Sequence, residues 1–173
     1  MCEGEVMNAD WEQRVAEVWN SFEAYEEDRA AEFRALIDEL AAELPEGDPR
    51  GLFERACAFD STGHSDRAVP LYQEALERGL GGYHKQRAVI QLASSLRNVG
   101  RADEGVALLT PELAGPPNEL DDAVRAVLAL CLADLGRERE GLALVLGTLA
   151  PHLPRYQRSM ARYARALVEP VPS

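Results

Sequence analysis

The chain has 173 residues and a formal net charge of −12, with 46% hydrophobic, 28% charged and 6% aromatic side chains. That length and composition predict a soluble domain with ample core. The acidic balance argues against a nucleic-acid binder held by phosphate contacts. The longest apolar run, Ala126–Ala133, is stopped by Asp134, far short of the ~20 residues that a membrane span needs.

Abundant alanine and leucine, few aromatics and no β-branched runs favour helices. Three cysteines, Cys2, Cys57 and Cys131, are far apart and form no C-x-x-C. A disulfide framework or zinc site is therefore not expected, and a reducing cytoplasm is the predicted compartment. Cys57 and Cys131 fall within apolar helical patterns and read as small buried hydrophobes. Charge is unevenly spread. Residues 1–48 hold 15 acidic and 3 basic side chains, whereas residues 49–173 hold 15 of each.

The N-terminal MCEGEVMNAD is acidic, lacks an apolar core and does not read as a secretory signal. Residues 1–48 are predicted as an acidic helical cap. Trp11, Val15, Val18, Trp19 and Phe22 make one stripe; Phe33, Leu36, Ile37, Leu40 and Leu44 make another. The pattern fits either one long bent helix or two helices over residues 10–44. LPEGDP, at 44–49, ends it.

From Pro49 onward a nine-residue phrase recurs: STGHSDRAV at 61–69, NVGRADEGV at 98–106 and DLGREREGL at 134–142. Aligned on Gly63, Gly100 and Gly136, the spacings are 37 and 36 residues. A fixed period of this size means stacked supersecondary units. Apolar residues recur at helical spacing on both sides of each glycine: Leu52, Phe53, Ala56 and Phe59 before the first, and Ala68, Leu71, Tyr72, Ala75 and Leu76 after it. Val89, Ile90, Leu92, Ala93 and Leu96 precede the second glycine; Val124, Val127, Leu128, Leu130, Cys131, Leu132 and Leu135 precede the third. Each unit reads helix–turn–helix, near 49–83, 86–118 and 122–153. The glycine ends the first helix with positive φ, and Asp66, Asp103 and Glu138 open the second. Ala68, Gly105 and Gly141 are small so that the two helices can approach closely. A last helix at 155–168 is predicted to cap the array, with Met160, Tyr163, Ala164 and Leu167 facing inward and Pro154 at its start. The EPVPS tail is expected to fray.

These residues resemble the tetratricopeptide repeat family, whose unit has about 34 places. Leu52, Ala56, Phe59, Gly63, Ala68, Tyr72 and Ala75 match its large and small places in the first unit. Val89, Ala93, Leu96, Gly100, Gly105 and Leu109 do so in the second, and Ala129, Leu132, Gly136, Gly141 and Val145 in the third. The periods run a few residues long, and Leu52, Val89 and Arg125 replace the family's first tryptophan. LGGYHKQ and AGPPNELDD are expected to be loops that absorb the extra length. The match covers about two thirds of the chain and is similar to the bacterial group-5 tetratricopeptide proteins. The fold implied is an all-α, right-handed α-solenoid of about three helical hairpins, with an N-terminal helical extension and a C-terminal capping helix. In this family the first helix of each unit lines a concave groove. Carried over place by place, the groove residues here include Arg50, Phe53 and Cys57, then Arg87, Ile90, Gln91, Ser94 and Arg97. Arg158, Arg162 and Arg165 join them if the last helix keeps register.

Arg155, Arg158, Arg162 and Arg165 recur at three- and four-residue steps, which places them largely along one helix face. Arginine grips carboxylates with two parallel hydrogen bonds, so Arg50, Arg87, Gln91, Arg97, Arg158, Arg162 and Arg165 are the candidate peptide-binding residues. The competing expectation is solvated pairing with neighbouring Glu and Asp, or occupation of the groove by the acidic N-terminal segment of the same chain. His64, His84 and His152 fall in predicted turns with no ligand spacing, and no G-x-S-x-G, P-loop or G-x-G-x-x-G occurs. GLGGYHK follows a helix, not a strand, and the YEED carboxylates crowd a solvated helix face. No catalytic residue, metal or cofactor is therefore expected. The function expected is a non-catalytic module for a protein or acidic peptide, with no nucleic acid or membrane partner. A self-assembling scaffold that associates through the Trp11–Trp19 helix as a homo-oligomer is the alternative.

Overall fold

A computed structural model describes residues 3–25 and 27–169, with side chains from Ala9 onward. Cys2, Glu26 of the YEED run and residues 170–173 of the expected frayed tail lie outside the described residues. The described residues are helical, and they separate into two compact units, 1–88 and 89–173.

In the first unit, α1 (Glu3–Asn20) and α2 (Ala30–Ala42) are joined by short 3-10 turns at Phe22–Ala24 and Glu27–Arg29. The N-terminal segment is thus two helices. The tryptophan stripe of α1 and the Phe33–Ile37 stripe of α2 both point inward, which a hairpin allows. Trp11 donates its indole N–H to Leu40 O at 2.8 Å, and Arg14 forks onto both Glu43 oxygens at 2.7 and 2.6 Å. Trp19 and Phe22 pack edge-on to the fully buried Phe33, at 5.0 and 4.7 Å between ring centres.

Helix α2 packs on α3 (Pro49–Ser61), and α3 on α4 (Ser65–Glu77). Asp48 caps α3 by accepting from Arg50 N–H, and Pro49 fills the first helical position. Helix α5 (Gly82–Asn98) contains the division between the units. It starts earlier than the sequence implies: Tyr83, His84 and Lys85 are helical, so LGGYHKQ is no long loop. The missed signal was a fourth stop at Gly79, with φ +88° and Leu80 N–H bonded back to Ala75 O at 3.0 Å. Leu80 is buried there.

The second unit continues with α6 (Ala102–Glu112), α7 (Asp121–Asp134), α8 (Glu138–Leu149), a 3-10 turn at Ala150–His152 and α9 (Gln157–Ala166). α6 packs on α7, α7 on α8 and α8 on α9. The three recurring phrases are the elbows of α3–α4, α5–α6 and α7–α8. Gly63, Gly100 and Gly136 have φ of +79°, +81° and +73°. The next residue donates to the carbonyl five places back in each elbow: His64 to Phe59 at 2.9 Å, Arg101 to Leu96 at 2.8 Å, Arg137 to Leu132 at 2.8 Å. This closure satisfies orphan carbonyls while turning the chain, and it needs the left-handed conformation that glycine adopts cheaply.

After the second and third elbows the small residue sits against backbone. Ala68 is fully buried. A Cβ on Gly141 would lie 2.7 Å from Ala129 O, and one on Gly105 would lie 3.1 Å from Ala93 O and 2.8 Å from Cys131 Sγ. Cys57 and Cys131 are buried, as their patterns implied. Three expected core positions are not core: Leu130, Leu135 and Tyr163 are solvent-exposed. For Tyr163 the reason is that α9 turns its Ala161–Ala164 side toward the unit, leaving the ring outside. α9 also starts three residues after Pro154, following Tyr156 at φ +70°.

Gly141→Ala gains about 1 kcal/mol of helix propensity but drives a methyl into a carbonyl that cannot swing away, an overpacking cost of about 1–3 kcal/mol. A net loss of up to about 2 kcal/mol is expected, a fall of up to about 8 °C in Tm by calorimetry. Gly147→Ala on the same helix, where a Cβ meets nothing within 4 Å, is expected to keep or raise Tm.

Candidate functional site

The candidate arginines divide between the two units and have different surroundings. Arg50, in the first turn of α3, forks onto Asp48 at 3.0 and 2.8 Å, with its guanidinium 5.7 Å from the Trp11 ring. The Arg50 guanidinium holds the Asp48 carboxyl below its ordinary value, against the opposing effect of burial. Arg87 lies over Phe53, 5.2 Å from the ring centre, and His84 meets the same ring edge-on at 5.5 Å. Phe53 and Cys57, expected to face a ligand, are instead buried with about 1% exposure or less. The early start of α5 brings His84 of its first turn and Arg87 of its second over Phe53. Burial pushes the His84 ring below its ordinary pKa, with Arg87 acting in the same direction.

Beside this cluster lies Glu54, a buried carboxylate on α3. Its Oε2 accepts from the Trp19 indole N–H at 2.6 Å. Burial raises its pKa; the Trp19 hydrogen bond and the Arg87 charge oppose that without cancelling it. The acidic N-terminal segment is therefore committed within the first unit as a hairpin stacked on α3, with Asp38 also paired to Arg55 at 2.6 Å. Both indoles are used inside the chain, and Trp11 is buried. The premise for association through this helix, uncovered tryptophans, is not met.

In the second unit, Arg97 of α5 pairs with Asp134 of α7 at 2.7 Å. Gln91 and Ser94 are half-buried, and Ile90 is buried. Arg101 and Arg137, each directly after an elbow glycine, fork onto Glu104 and Glu140. These exposed pairs hold both glutamates below their ordinary pKa, and surface pairs of this kind contribute little.

Arg158, Arg162 and Arg165 on α9 behave differently. All three are exposed, and none has an ion pair among the described residues. The Arg162 guanidinium lies over the ring of its neighbour Tyr163, at 5.4 Å. From Ala150 to Val168 the sequence contains four arginines and no acid. Solvated pairing thus holds for Arg50 and Arg97 but not for the α9 row. Beside the row runs a groove of about 610 Å³ between α6, α8 and α9, floored by Leu128 and Leu132 of α7. Val106, Leu144, Ala164 and Val168 line its walls, and Arg165 stands at its edge. Composition gave no sign of this groove. Its lining comes from four helices, and only the packing of α9 onto α8 brings them together.

His152 Nε2 approaches Asp122 Oδ2 at 3.2 Å. Among the described residues no three His, Cys, Asp or Glu side chains converge as a metal site would require, and no helix is long and apolar enough to cross a membrane.

A family model described as tetratrico peptide repeat matches residues 49–167, from α3 through α9. No curated protein and no solved structure gives a significant match to the chain.

Glu54 supplies a pH test. Its pKa is raised on folding, so its ionisation favours the unfolded chain, and stability is lost as pH rises from about 4.5 through the folded value. Glu54→Gln keeps an acceptor for Trp19 without the charge. Its Tm is expected to exceed wild type at pH 8 and to converge with it near pH 4. A Tm below wild type at pH 8 would show that the charge itself is needed.

Proposed function

Because the chain belongs to the tetratricopeptide repeat family, a family of protein-interaction repeats, we propose that it is a non-catalytic binding module that captures an acidic protein segment through the arginine row of α9. The observation that carries this reading is the contrast between arginines. Arg14, Arg29, Arg50, Arg55, Arg78, Arg97, Arg101, Arg125 and Arg137 all have carboxylate partners. Arg34, Arg67, Arg87 and Arg139 show no such pair but lie over a ring or bond Thr62 or the Leu167 carbonyl. Arg158, Arg162 and Arg165, with Arg155 just before them, have no carboxylate partner among the described residues and follow one another along one segment of a strongly acidic protein. Free guanidinium groups on an ordered helix are positioned for two-point bonding to carboxylates without first breaking an internal pair.

Arg50, Arg87 and Arg97 enter this reading differently. Their guanidinium groups tie helices together or cover Phe53, so they serve the scaffold that holds the site. Gln91, half-buried on α5, is not assigned to the binding row. The partner is a protein or peptide rich in Asp and Glu, and no cofactor is required.

A fluorescent glutamate-rich peptide, compared with its glutamine counterpart, tests the reading by anisotropy at low and moderate salt. Wild type is expected to prefer the glutamate peptide, with affinity falling as salt rises. Arg158→Glu with Arg162→Glu is expected to weaken capture at least about tenfold, since two exposed pairs of about 0.2–1 kcal/mol each are lost and the new glutamates repel the acidic peptide, with the helical circular dichroism unchanged. Equal capture by the double variant would remove the arginine row from the mechanism.

A further inference from the structure

The arginine row meets the apolar groove at Arg165, and together they specify the form of the partner. Resting on the arginine reading above, we propose that the second unit binds an amphipathic α-helix. Its apolar stripe seats in the groove between α6, α8 and α9, and its adjoining stripe of acids faces Arg158, Arg162 and Arg165.

Pitch carries the first part of the inference. Arg158, Arg162 and Arg165 lie within about 60° of one another around α9 and span about 10 Å along it. Ala161, Arg165 and Val168, on the flank beside that row, line the groove. A helix lying alongside α9 with acids at four- and three-residue steps repeats the same spacing, so three carboxylates can meet three guanidinium groups at once. An extended strand rises about 3.3 Å per residue and changes face at every step, so it does not keep that match. A single small carboxylate would use one arginine and leave two idle.

Composition of the groove carries the second part. Its floor and walls are Leu128, Leu132, Val106, Leu144, Ala164 and Val168, and about 610 Å³ is within the ~300–1,000 Å³ of ordinary ligand sites. Among the described residues, the ion pair at its rim, Arg137 with Glu140, is already satisfied, and Arg165 is the remaining cation lining the groove that can orient a ligand there. Apolar anchors beside a charged edge are the recognition pattern of a helix laid in a groove.

Two synthetic peptides test this against the full chain by anisotropy. One carries leucines at i, i+3 and i+7 with glutamates at the same steps on the adjoining stripe; the other has the same composition scrambled. The patterned peptide is expected to bind at least about tenfold tighter. Gly147 lines the groove at a point where a Cβ meets nothing within 4 Å. Gly147→Phe therefore fills the groove from exposed backbone, and Thr110→Phe does so from the opposite wall. Each is expected to weaken the patterned peptide at least about tenfold while Tm and circular dichroism hold.

Equal binding of the two peptides, absence of binding by the patterned one, or indifference to both groove-filling variants would overturn the proposal. Loss in Arg158→Glu/Arg162→Glu with indifference to both fillings would leave arginine capture standing and the groove refuted. Loss in the fillings with indifference to the arginine reversal would instead refute the arginine reading, and this proposal with it. Groove-dependent binding of dodecanoate without peptide binding, or self-association suppressed by Gly147→Phe, would assign the groove to another occupant and overturn the proposal as well.

Discussion

The close approach of two helix backbones just after the second and third elbows is the constraint on which the repeat depends. At Gly141 the neighbouring carbonyl of Ala129 leaves no room for a methyl group, and Gly105 is nearly as crowded against Ala93 and Cys131. Such contact is reached only if the chain turns within two residues, which Gly100 and Gly136 permit by adopting positive φ. Turn and contact are therefore one device: the elbow sets the direction of the second helix, and the small residue lets it close on the first. Leu92, Leu96, Leu109 and Val124, all buried, then fill the space around it. Their burial supplies the stabilisation, and the elbow decides which faces are buried.

The same logic explains why the N-terminal helices belong with the repeats although they lack the phrase. Gly51 of α3 sits close to Ala41 of α2, with a Cβ position 3.2 Å from Ala41 O. α2 therefore covers α3 at a small-residue contact of the kind found inside the later hairpins. The differences are chemical. Trp11 and Trp19 reach across with indole hydrogen bonds, and Glu54 is buried to receive one of them. A buried carboxylate costs stability at neutral pH and gains specificity in return only through its partners. Here the partners, Trp19 and the nearby charge of Arg87, come from helices on both sides of α3.

Periodicity made most of the fold legible. The three elbow glycines, the acids opening the second helices and the buried faces of α3 and α5 all follow from the i, i+3, i+4 pattern around Gly63, Gly100 and Gly136. What escaped was set by packing between elements. Phe53 and Cys57 carry family groove places, yet the first two turns of α5 cover Phe53 with His84 and Arg87. Leu130 and Leu135 satisfy a helical period on α7 but face solvent, because apolar residues are present on more faces of α7 than its neighbours cover. The α9 arginines were visible as a spacing in the sequence. That they lack acid partners among the described residues was not visible, since pairing depends on which helix lies opposite. The groove beside them was invisible for the same reason.

An amide-resolved NMR titration of the full chain with the patterned acidic helix peptide would test the central claim most directly. Shifts are expected to concentrate in Arg158–Val168 and in the facing parts of α6 and α8, around Val106–Thr110 and Glu140–Gly147, with the first unit nearly unchanged. Shifts centred instead on Arg50, Arg87 and Arg97, with α9 silent, would contradict it and return the binding face to the first helices of the hairpins.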